Sequence, residues 1–243
     1  MRLNEHKAQP QDRSKGSSME FGPFLSPGVF IDSDSPQVRA FALDAAGGLH
    51  KPVPAVVRLY TTVRDKIIYD PYVDFTDPAN FRASSVLSAG RGFCVGKSAL
   101  LAASARVLGV PARVGFADVR NHLTSPRLYA KIKTDTFVWH SYTELYLSGR
   151  WVKATPAFDS ALCERAGLKA LEFDGESDSL FHPFDPAGRR HMEYLKEHGT
   201  FADVPFETIR NAFLRAYPAL MNSRGLTGDF RSEVASAETD GTR

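Results

Sequence analysis

Apolar residues at helical spacing predict several helices along the chain. Val56, Tyr60, Val63 and Ile67 recur at intervals of three and four residues, so residues 56–69 are predicted to form a helix with one apolar face. Composition and terminal signals, above all a proline in the first turn or a glycine after the last, predict the other helices. Those helices are predicted over residues 36–46, 95–108, 161–166, 190–198 and 206–217.

Alternation of apolar and polar side chains predicts one long strand in the middle of the chain. Within residues 137–147 it places His140 and Tyr142 on one face. Ser148-Gly149 is a tight-turn signal, which predicts that residues 151–155 return as the antiparallel partner of this strand. One more short strand is predicted over residues 112–117.

The overall composition is typical of a soluble globular protein with one large domain or two small ones. Of the 243 residues, 43% are hydrophobic and 24% are charged. The net charge of +2, from 30 basic and 28 acidic residues, argues against a dedicated nucleic-acid-binding surface. No apolar run approaches the length of a membrane span, so no membrane partner is expected.

The two ends of the chain differ in composition from its middle. Residues 1–20 and 222–243 are polar and are predicted to be disordered, which leaves residues 21–221 as a predicted single domain. The N-terminal stretch has no hydrophobic segment of the kind found in secretory signals. Two cysteines, Cys94 and Cys163, cannot form a disulfide framework, so free thiols and a cytoplasmic location are expected.

Cys94 is the first candidate for chemistry because of the stretch that surrounds it. Two glycines precede it, and an Ala/Leu-rich helix follows and ends at Gly109. In the first turn of that helix the thiol would lie beside free backbone N–H groups, where the helix dipole favours a thiolate. A thiolate there is a nucleophile, and the Cys94 N–H could help hold an oxyanion. The alternative is a buried structural thiol.

His140 is the candidate base for Cys94. It stands in the middle of the predicted strand, where it could take the thiol proton or form an ion pair with the thiolate. The alternative is a half-buried strand histidine that binds a backbone group.

A third group is expected to orient the imidazole, and strand pairing points to Asp159. If Ser148-Gly149 is a two-residue turn, Ala157 lies opposite His140, and Thr155 and Asp159 are its diagonal neighbours on the same face. Only Asp159 offers a charge that would stabilise an imidazolium. The alternative for Asp159 is the N-cap of the short helix that follows it.

Two blocks of the sequence resemble the transglutaminase-like superfamily. The first is Gly92-Phe93-Cys94, a helix, and then Leu108-Gly109-Val110-Pro111-Ala112-Arg113, which is similar to the cysteine block of that family. The second runs from Trp139-His140 through Glu144-Leu145-Tyr146 to Gly149-Arg150-Trp151-Val152, which is similar to its histidine strand and the strand that follows. The resemblance covers roughly residues 56–160 and is to a bacterial-type cytosolic member.

The resemblance implies an α+β fold with a papain-like core. The helix that begins at the nucleophile would pack on an antiparallel β-sheet, with extra helices at both ends and a C-terminal extension over residues 161–221. It also implies acyl transfer from an amide through a thioester, with Cys94 as nucleophile, His140 as base and Asp159 as the orienting acid. The expected partner is a peptide or another amide-containing substrate, and no cofactor is expected. Because the superfamily includes inactive domains, a non-catalytic binding or scaffold domain is the alternative.

One position departs from the family pattern. Many members carry Trp-Val-x-x-Asp-Pro after the turn, and here Thr155 stands where that aspartate would be. The nearest acid is Asp159, four residues further on, so Asp159 is predicted to fill the role from a shifted position. A Cys94–His140 dyad without a third member is the other possibility.

The other cysteine and the other histidines give weaker evidence of a functional site. Cys163 has no histidine near it in sequence and is expected to be structural. No ligand-like spacing such as C-x-x-C or H-E-x-x-H occurs, so no metal site is expected, and the sequence contains no glycine-rich phosphate loop. The histidines that lack such spacing are His122, His182, His191 and His198.

Overall fold

A four-stranded antiparallel sheet and the helix that begins at Cys94 organise the fold. The computed structural model describes residues 21–121, 124–181, 184, 188, 191–222 and 225–234. The strands are β1 (Ile68–Tyr69), β2 (Arg91–Gly92), β3 (Ala112–Asn121), β4 (Thr136–Leu147), β5 (Arg150–Ala154) and β6 (Met192–Phe201). The helices are α1 (Gly22–Leu25), α2 (Pro36–Ala46), α3 (Pro52–Lys66), α4 (Ala83–Ala89), α5 (Cys94–Val107), α6 (Pro126–Ile132), α7 (Ser160–Arg165), α8 (Phe206–Ala216) and α9 (Pro218–Met221), with a 3₁₀ turn at Pro78–Phe81.

The main sheet has the strand order β5-β4-β3-β6, and every neighbouring pair is antiparallel. The β4–β5 hairpin pairs Leu147 with Arg150, which is the register predicted from the Ser148-Gly149 turn. The β3–β4 ladder is irregular between Ala117 and Val119, so β4 carries one extra residue there. This irregularity lies directly beside His140.

Helix α5 is buried along most of its length between the sheet and helices α2, α3 and α4. Its alanines, including Ala99, Ala102 and Ala103, are fully buried, and small side chains let the helix approach the sheet closely. Thr143 Oγ1 in β4 donates a hydrogen bond of 3.0 Å to the carbonyl of Ser98, which fixes the helix against the strand. The predicted helix from the cysteine to Gly109 is therefore confirmed, and it is the rigid element that holds residue 94.

The amphipathic helix predicted over residues 56–69 is confirmed with different ends. Its predicted apolar positions Val56, Tyr60 and Val63 are fully buried. Helix α3 starts at Pro52, because proline suits the first helical turn, and stops at Lys66. Residues 68–69 instead pair in parallel with β2. That pairing joins the end of α3 to the segment just before Cys94.

The helix predicted over residues 190–198 is wrong. Residues 192–201 form strand β6, which pairs with β3 along most of its length. Glu, Leu and Lys in this stretch favour a helix locally, but pairing with a neighbouring strand overrides that preference. Tyr194 and His198 are therefore carried by the sheet.

The prediction of disorder from residue 222 onward is wrong for residues 225–234. Phe230 and Val234 are buried, and the Phe230 ring contacts the rings of Tyr69 and Tyr72. Arg127 also binds this segment, through Glu233 at 2.8 Å. We call residues 225–234 the C-terminal segment. The predicted tails at residues 1–20 and beyond 234 lie outside the described residues.

The α+β class and the antiparallel sheet predicted from the sequence are confirmed. Among the described residues, no helix has both the length and the apolar character needed to cross a membrane.

Candidate active site

The segment that leads to Cys94 is fixed from both sides. Helix α4 ends at Ala89 and is capped by Gly90, whose φ of 63° is the left-handed conformation that glycine adopts without strain. Strand β2 then pairs with β1, and Phe93 is the extended residue before the first helical turn. Cys94 is the first residue of α5, which agrees with its predicted place in the first turn of a helix.

The Cys94 sulfur lies among backbone N–H groups. The amides of Cys94 and Val95 belong to the free first turn of α5, and the amide of Ser141 approaches from β4. All three are close enough to stabilise a negative charge on the sulfur. The sulfur therefore lies next to the backbone of the residue that follows His140.

His140 is held by an unusual piece of backbone. Trp139, immediately before it, has a φ of 57°, which is rare for a bulky residue. Asp118 Oδ1 accepts a hydrogen bond of 3.0 Å from the Trp139 amide and lies 2.6 Å from His198 Nε2. The rings of Trp139 and His198 stack 4.3 Å apart. Asp118 and His198 therefore hold the strand bulge that directs His140, a role that sequence reasoning did not assign to either residue.

Cys94 and His140 line the same cavity, which has a volume of about 50 Å³. Among the described residues, Asn121 is the other plainly polar group in its wall. The rest of the lining is apolar or aromatic and comes from several helices, strands and loops, including Tyr69, Phe75, Phe93, Phe137, Phe158 and Phe213. The two candidate catalytic side chains, 46 positions apart in the sequence, thus meet at one apolar space.

Burial determines the charge state of both groups. It raises the pKa of the Cys94 thiol to about 11, although the three nearby amides act in the opposite direction. It lowers the pKa of His140 to about 4. Near neutral pH the pair is therefore a neutral thiol and a neutral imidazole. The sequence argument from the helix dipole favoured a thiolate, but desolvation has the larger effect.

Asp159 forms no hydrogen bond with His140 among the described residues, so the prediction that Asp159 orients the imidazole is corrected. Its Oδ1 accepts a hydrogen bond of 2.9 Å from the amide of Leu162, the capping contact of α7. Its Oδ2 accepts one of 3.0 Å from the amide of Tyr69. Arg231 of the C-terminal segment lies 2.6 Å from Oδ1. The N-cap interpretation of Asp159 is the one that the structure supports.

The reason for this difference is local. Strand β5 pairs with β4 only as far as Ala154, which lies opposite Thr143. The Thr155 amide then donates to the carbonyl of Ser179, and Pro156 cannot donate to a ladder. The chain therefore leaves β4 before it reaches Asp159, and a count of strand positions beyond Ala154 does not hold.

Two charged residues near the site were not anticipated. Lys97, one turn after Cys94, is fully buried, and its Nζ donates to the carbonyls of Arg64 at 2.8 Å and Ile67 at 2.5 Å. Burial lowers its pKa to about 7, against the attraction of Asp159. Arg231 is the second. Its only sequence signal was its place in a polar tail.

The other sequence candidates lie apart from this chemistry. Cys163 is buried in α7, and burial raises its pKa to about 12. His191 packs against the rings of Phe158 and Phe181. In the parts of the chain that the structure describes, no group of three or more His, Cys, Asp or Glu side chains is placed to hold a metal ion. His122 and His182 lie outside those parts.

The chain matches one family model and is similar to a solved structure. A family model described as the transglutaminase-like superfamily matches residues 39–156. A solved structure described as a "Putative Cysteine Protease from Cytophaga hutchinsonii" is similar at 17% identity and a TM-score of 0.45, covering 76% of this chain. The chain spans 47% of the length of that structure's chain. A search of curated proteins finds no match.

The matched range contains α5, the β3–β4–β5 part of the sheet and both residues that line the cavity. It also contains the two blocks on which the sequence resemblance was based. The predicted resemblance is therefore confirmed: residues 39–156 match the model of the transglutaminase-like superfamily.

Proposed function

We propose that the protein is a thiol-dependent enzyme that acts on an amide bond, with Cys94 as nucleophile and His140 as general base and acid. The observation that carries the proposal is that both side chains line one cavity, with three backbone N–H groups around the sulfur. The family match supports the same class of chemistry.

The chemistry begins with a neutral pair. As the amide carbonyl carbon approaches, the thiol proton of Cys94 passes to His140 and a carbon–sulfur bond forms. The carbonyl oxygen becomes an oxyanion. The amides of Cys94, Val95 and Ser141, which lie beside the sulfur, are the candidate donors to this oxygen.

The intermediate then collapses to a thioester. His140 gives its proton to the amine nitrogen, the carbon–nitrogen bond breaks, and the acyl group stays on Cys94. Water or a primary amine next attacks the thioester carbonyl and loses a proton to His140. The carbon–sulfur bond breaks and the proton returns to the sulfur. We propose water as the acceptor, because the described residues that line the cavity include no carboxylate to bind an amine.

Thiol reactivity tests the dyad directly. Iodoacetamide at pH 7 should alkylate Cys94 at least about tenfold faster than Cys163, as measured by peptide mass spectrometry. Cys94 shares a cavity with a base and is 8% exposed, against 2% for Cys163. His140→Ala should slow Cys94 toward the rate of Cys163, and Cys163→Ser should leave the Cys94 rate unchanged. Equal slow alkylation of both thiols would contradict the proposal.

Turnover tests the reaction. A panel of fluorogenic peptide amides would detect hydrolysis, and incorporation of a fluorescent primary amine into casein would detect transamidation. Cys94→Ser should abolish whichever activity is found.

A non-catalytic binding domain is the second candidate. It is favoured by one observation: within the described residues, no carboxylate is hydrogen-bonded to His140. Absence of both activities, with Cys94 no more reactive than Cys163, would favour that function.

A further inference from the structure

Several buried polar atoms near the site, Ser141 Oγ among them, have no hydrogen-bond partner within the described residues. Three of these atoms are Nε2 of His140, Oγ1 of Thr155 and the hydroxyl of Tyr194. Thr155 and His140 are almost completely buried, with exposed fractions of 1% and 5%. Buried polar atoms are nearly always hydrogen-bonded, and leaving one unpaired costs about 1–3 kcal/mol. Three such atoms in one region therefore need an explanation.

The strand registers place Tyr194 and His140 on the same face of the sheet. Tyr194 in β6 pairs with Val119 in β3, and His140 in β4 pairs with Ala117 in β3. Val119 and Ala117 are two residues apart on β3, and although both ladders shift between them, Val119 lines the same cavity as His140.

Thr155 reaches this face from the other edge. Thr143 and its partner Ala154 point toward α5, because Thr143 bonds to that helix. The next residue, Thr155, therefore points to the opposite side, the side of His140. The Tyr194 hydroxyl lies beside the Thr155 side chain and the backbone of Phe181, although no hydrogen bond of good geometry forms.

The Tyr194 side chain extends from β6 toward Thr155, which follows β5, and β4 lies between these two strands. In the order β5-β4-β3-β6, a side chain from β6 that reaches Thr155 must pass over the face of β4, where His140 and Tyr142 project. The Phe181 ring, with its centroid 6.1 Å from that of His140, closes the same space. The two unpaired hydroxyls therefore lie on the same side of the sheet as the unpaired nitrogen of the imidazole.

We propose that Thr155 and Tyr194 are positioning residues for His140, a hydroxyl pair that holds Nε2 directly or through one water in place of a carboxylate. This leaves Nδ1 as the nitrogen that exchanges a proton with Cys94. Thr155 stands at the position where family members that resemble this chain carry aspartate, so the pair substitutes for that acid. The inference rests on the proposed role of Cys94 and His140.

A hydroxyl pair beside His140 is consistent with the neutral state of Cys94 and His140 near neutral pH. Hydroxyls can fix the ring and its tautomer, but they stabilise an imidazolium less than a carboxylate does. His140 therefore stays neutral until proton transfer from Cys94.

The test compares substitutions at these two positions. Thr155→Val removes the hydroxyl at nearly constant shape, and Thr155→Ser keeps it. Tyr194→Phe removes the second hydroxyl, and Tyr129→Phe, at an exposed tyrosine, is its control. Folding of each variant is checked by its thermal unfolding midpoint. Kinetics are read as the pH profile of Cys94 alkylation and as kcat and KM on any amide substrate found.

We expect Thr155→Val and Tyr194→Phe to slow Cys94 alkylation at pH 7 about tenfold and to lower kcat with little change in KM. Thr155→Ser should stay within about threefold of the wild type. Thr155→Asp should restore the family acid, raise the pKa of His140 by at least about one unit in an NMR titration of the imidazole, and speed alkylation at neutral pH.

Three results would overturn the inference. Folded Thr155→Val and Tyr194→Phe variants with wild-type pH profiles would show that the hydroxyls do not act on His140. Equal losses in Thr155→Val and Thr155→Ser would mark a packing role only. An unchanged His140 titration in a folded Thr155→Asp variant would place the two residues too far apart. Because the titration needs no turnover, it separates failure of this inference from failure of the proposed function.

Discussion

Replacing Arg231 with methionine should destabilise the protein by about 2–4 kcal/mol without altering the chemistry of His140. Arg231 is paired at 2.6 Å with Asp159, whose side chain is 1% exposed, so its removal leaves a buried carboxylate without its cation. Breaking a buried pair typically costs about 3–5 kcal/mol. The expected value is lower, because Arg231 is 20% exposed and Asp159 keeps its bonds to the amides of Tyr69 and Leu162.

Urea unfolding of a double-mutant cycle measures the pair. Asp159→Asn should cost about 2 kcal/mol, since asparagine is also a good N-cap but its single oxygen cannot serve both amides. The double variant should lose about 1–2 kcal/mol less than the sum of the single losses. The pKa of Asp159 is lowered by the hydrogen bond from the Tyr69 amide and then by Arg231, against the effect of burial. Its contribution should therefore be present above about pH 4 and disappear as the pH falls further.

The same variants separate the two roles considered for Asp159. If it is a structural cap bound to the C-terminal segment, folded Asp159→Asn protein should show the wild-type pH dependence of Cys94 alkylation. Additive losses within about 0.5 kcal/mol would refute the pairing with Arg231. A changed pH profile of alkylation would refute the assignment of Asp159 away from His140.

Three further substitutions probe the framework of the site. Burial lowers the pKa of Lys97 to about 7, so a charged Lys97 is disfavoured in the folded state. In urea unfolding, the free energy of unfolding of the wild type relative to Lys97→Met should therefore rise from pH 7 to pH 9. A difference that does not change with pH would contradict this. In the same assay, Gly115→Ala should lower the free energy of unfolding by about 1–3 kcal/mol, because a β-carbon there would overlap the buried ring of Tyr142. A decrease below about 0.5 kcal/mol would show that the ring moves freely. Asp118→Ala removes the carboxylate that accepts a hydrogen bond from the Trp139 amide, just before His140. The rate of Cys94 alkylation should therefore fall about tenfold in folded protein. An unchanged rate would mean that other contacts hold the bulge.

The parts of the fold that were predictable from the sequence depend on local signals. Helix α5 was predictable because an Ala/Leu-rich run ends at Gly109, which has a φ of 73°. The β4–β5 register was predictable because a two-residue turn at Ser148-Gly149 fixes which residues face each other. These two elements carry Cys94 and His140, so the pair itself followed from sequence.

The features that were missed depend on distant contacts. Strand β6 has a helical composition, and only pairing with β3 makes it a strand. The C-terminal segment is polar apart from a few anchors such as Phe230, and its place is set by Asp159 and aromatic rings far away in the sequence. The position of Asp159 depended on strand pairing continuing past Ala154, and the bond from the Thr155 amide to Ser179 ends that pairing.

The charge state of the dyad follows from comparing two effects at Cys94. A helix N-terminus favours an anion by about 0.3–1 kcal/mol at exposed sites and by up to about 2 kcal/mol when partly buried. Burial outweighs it here, because the pKa of the thiol rises to about 11 even with three amides nearby. In a cavity this apolar, a lone thiolate or a lone imidazolium is costly, whereas moving one proton from sulfur to nitrogen creates both charges together and lets each stabilise the other. Nucleophile and base are therefore expected to act as one unit, and loss of either side chain should cost about as much activity as loss of both.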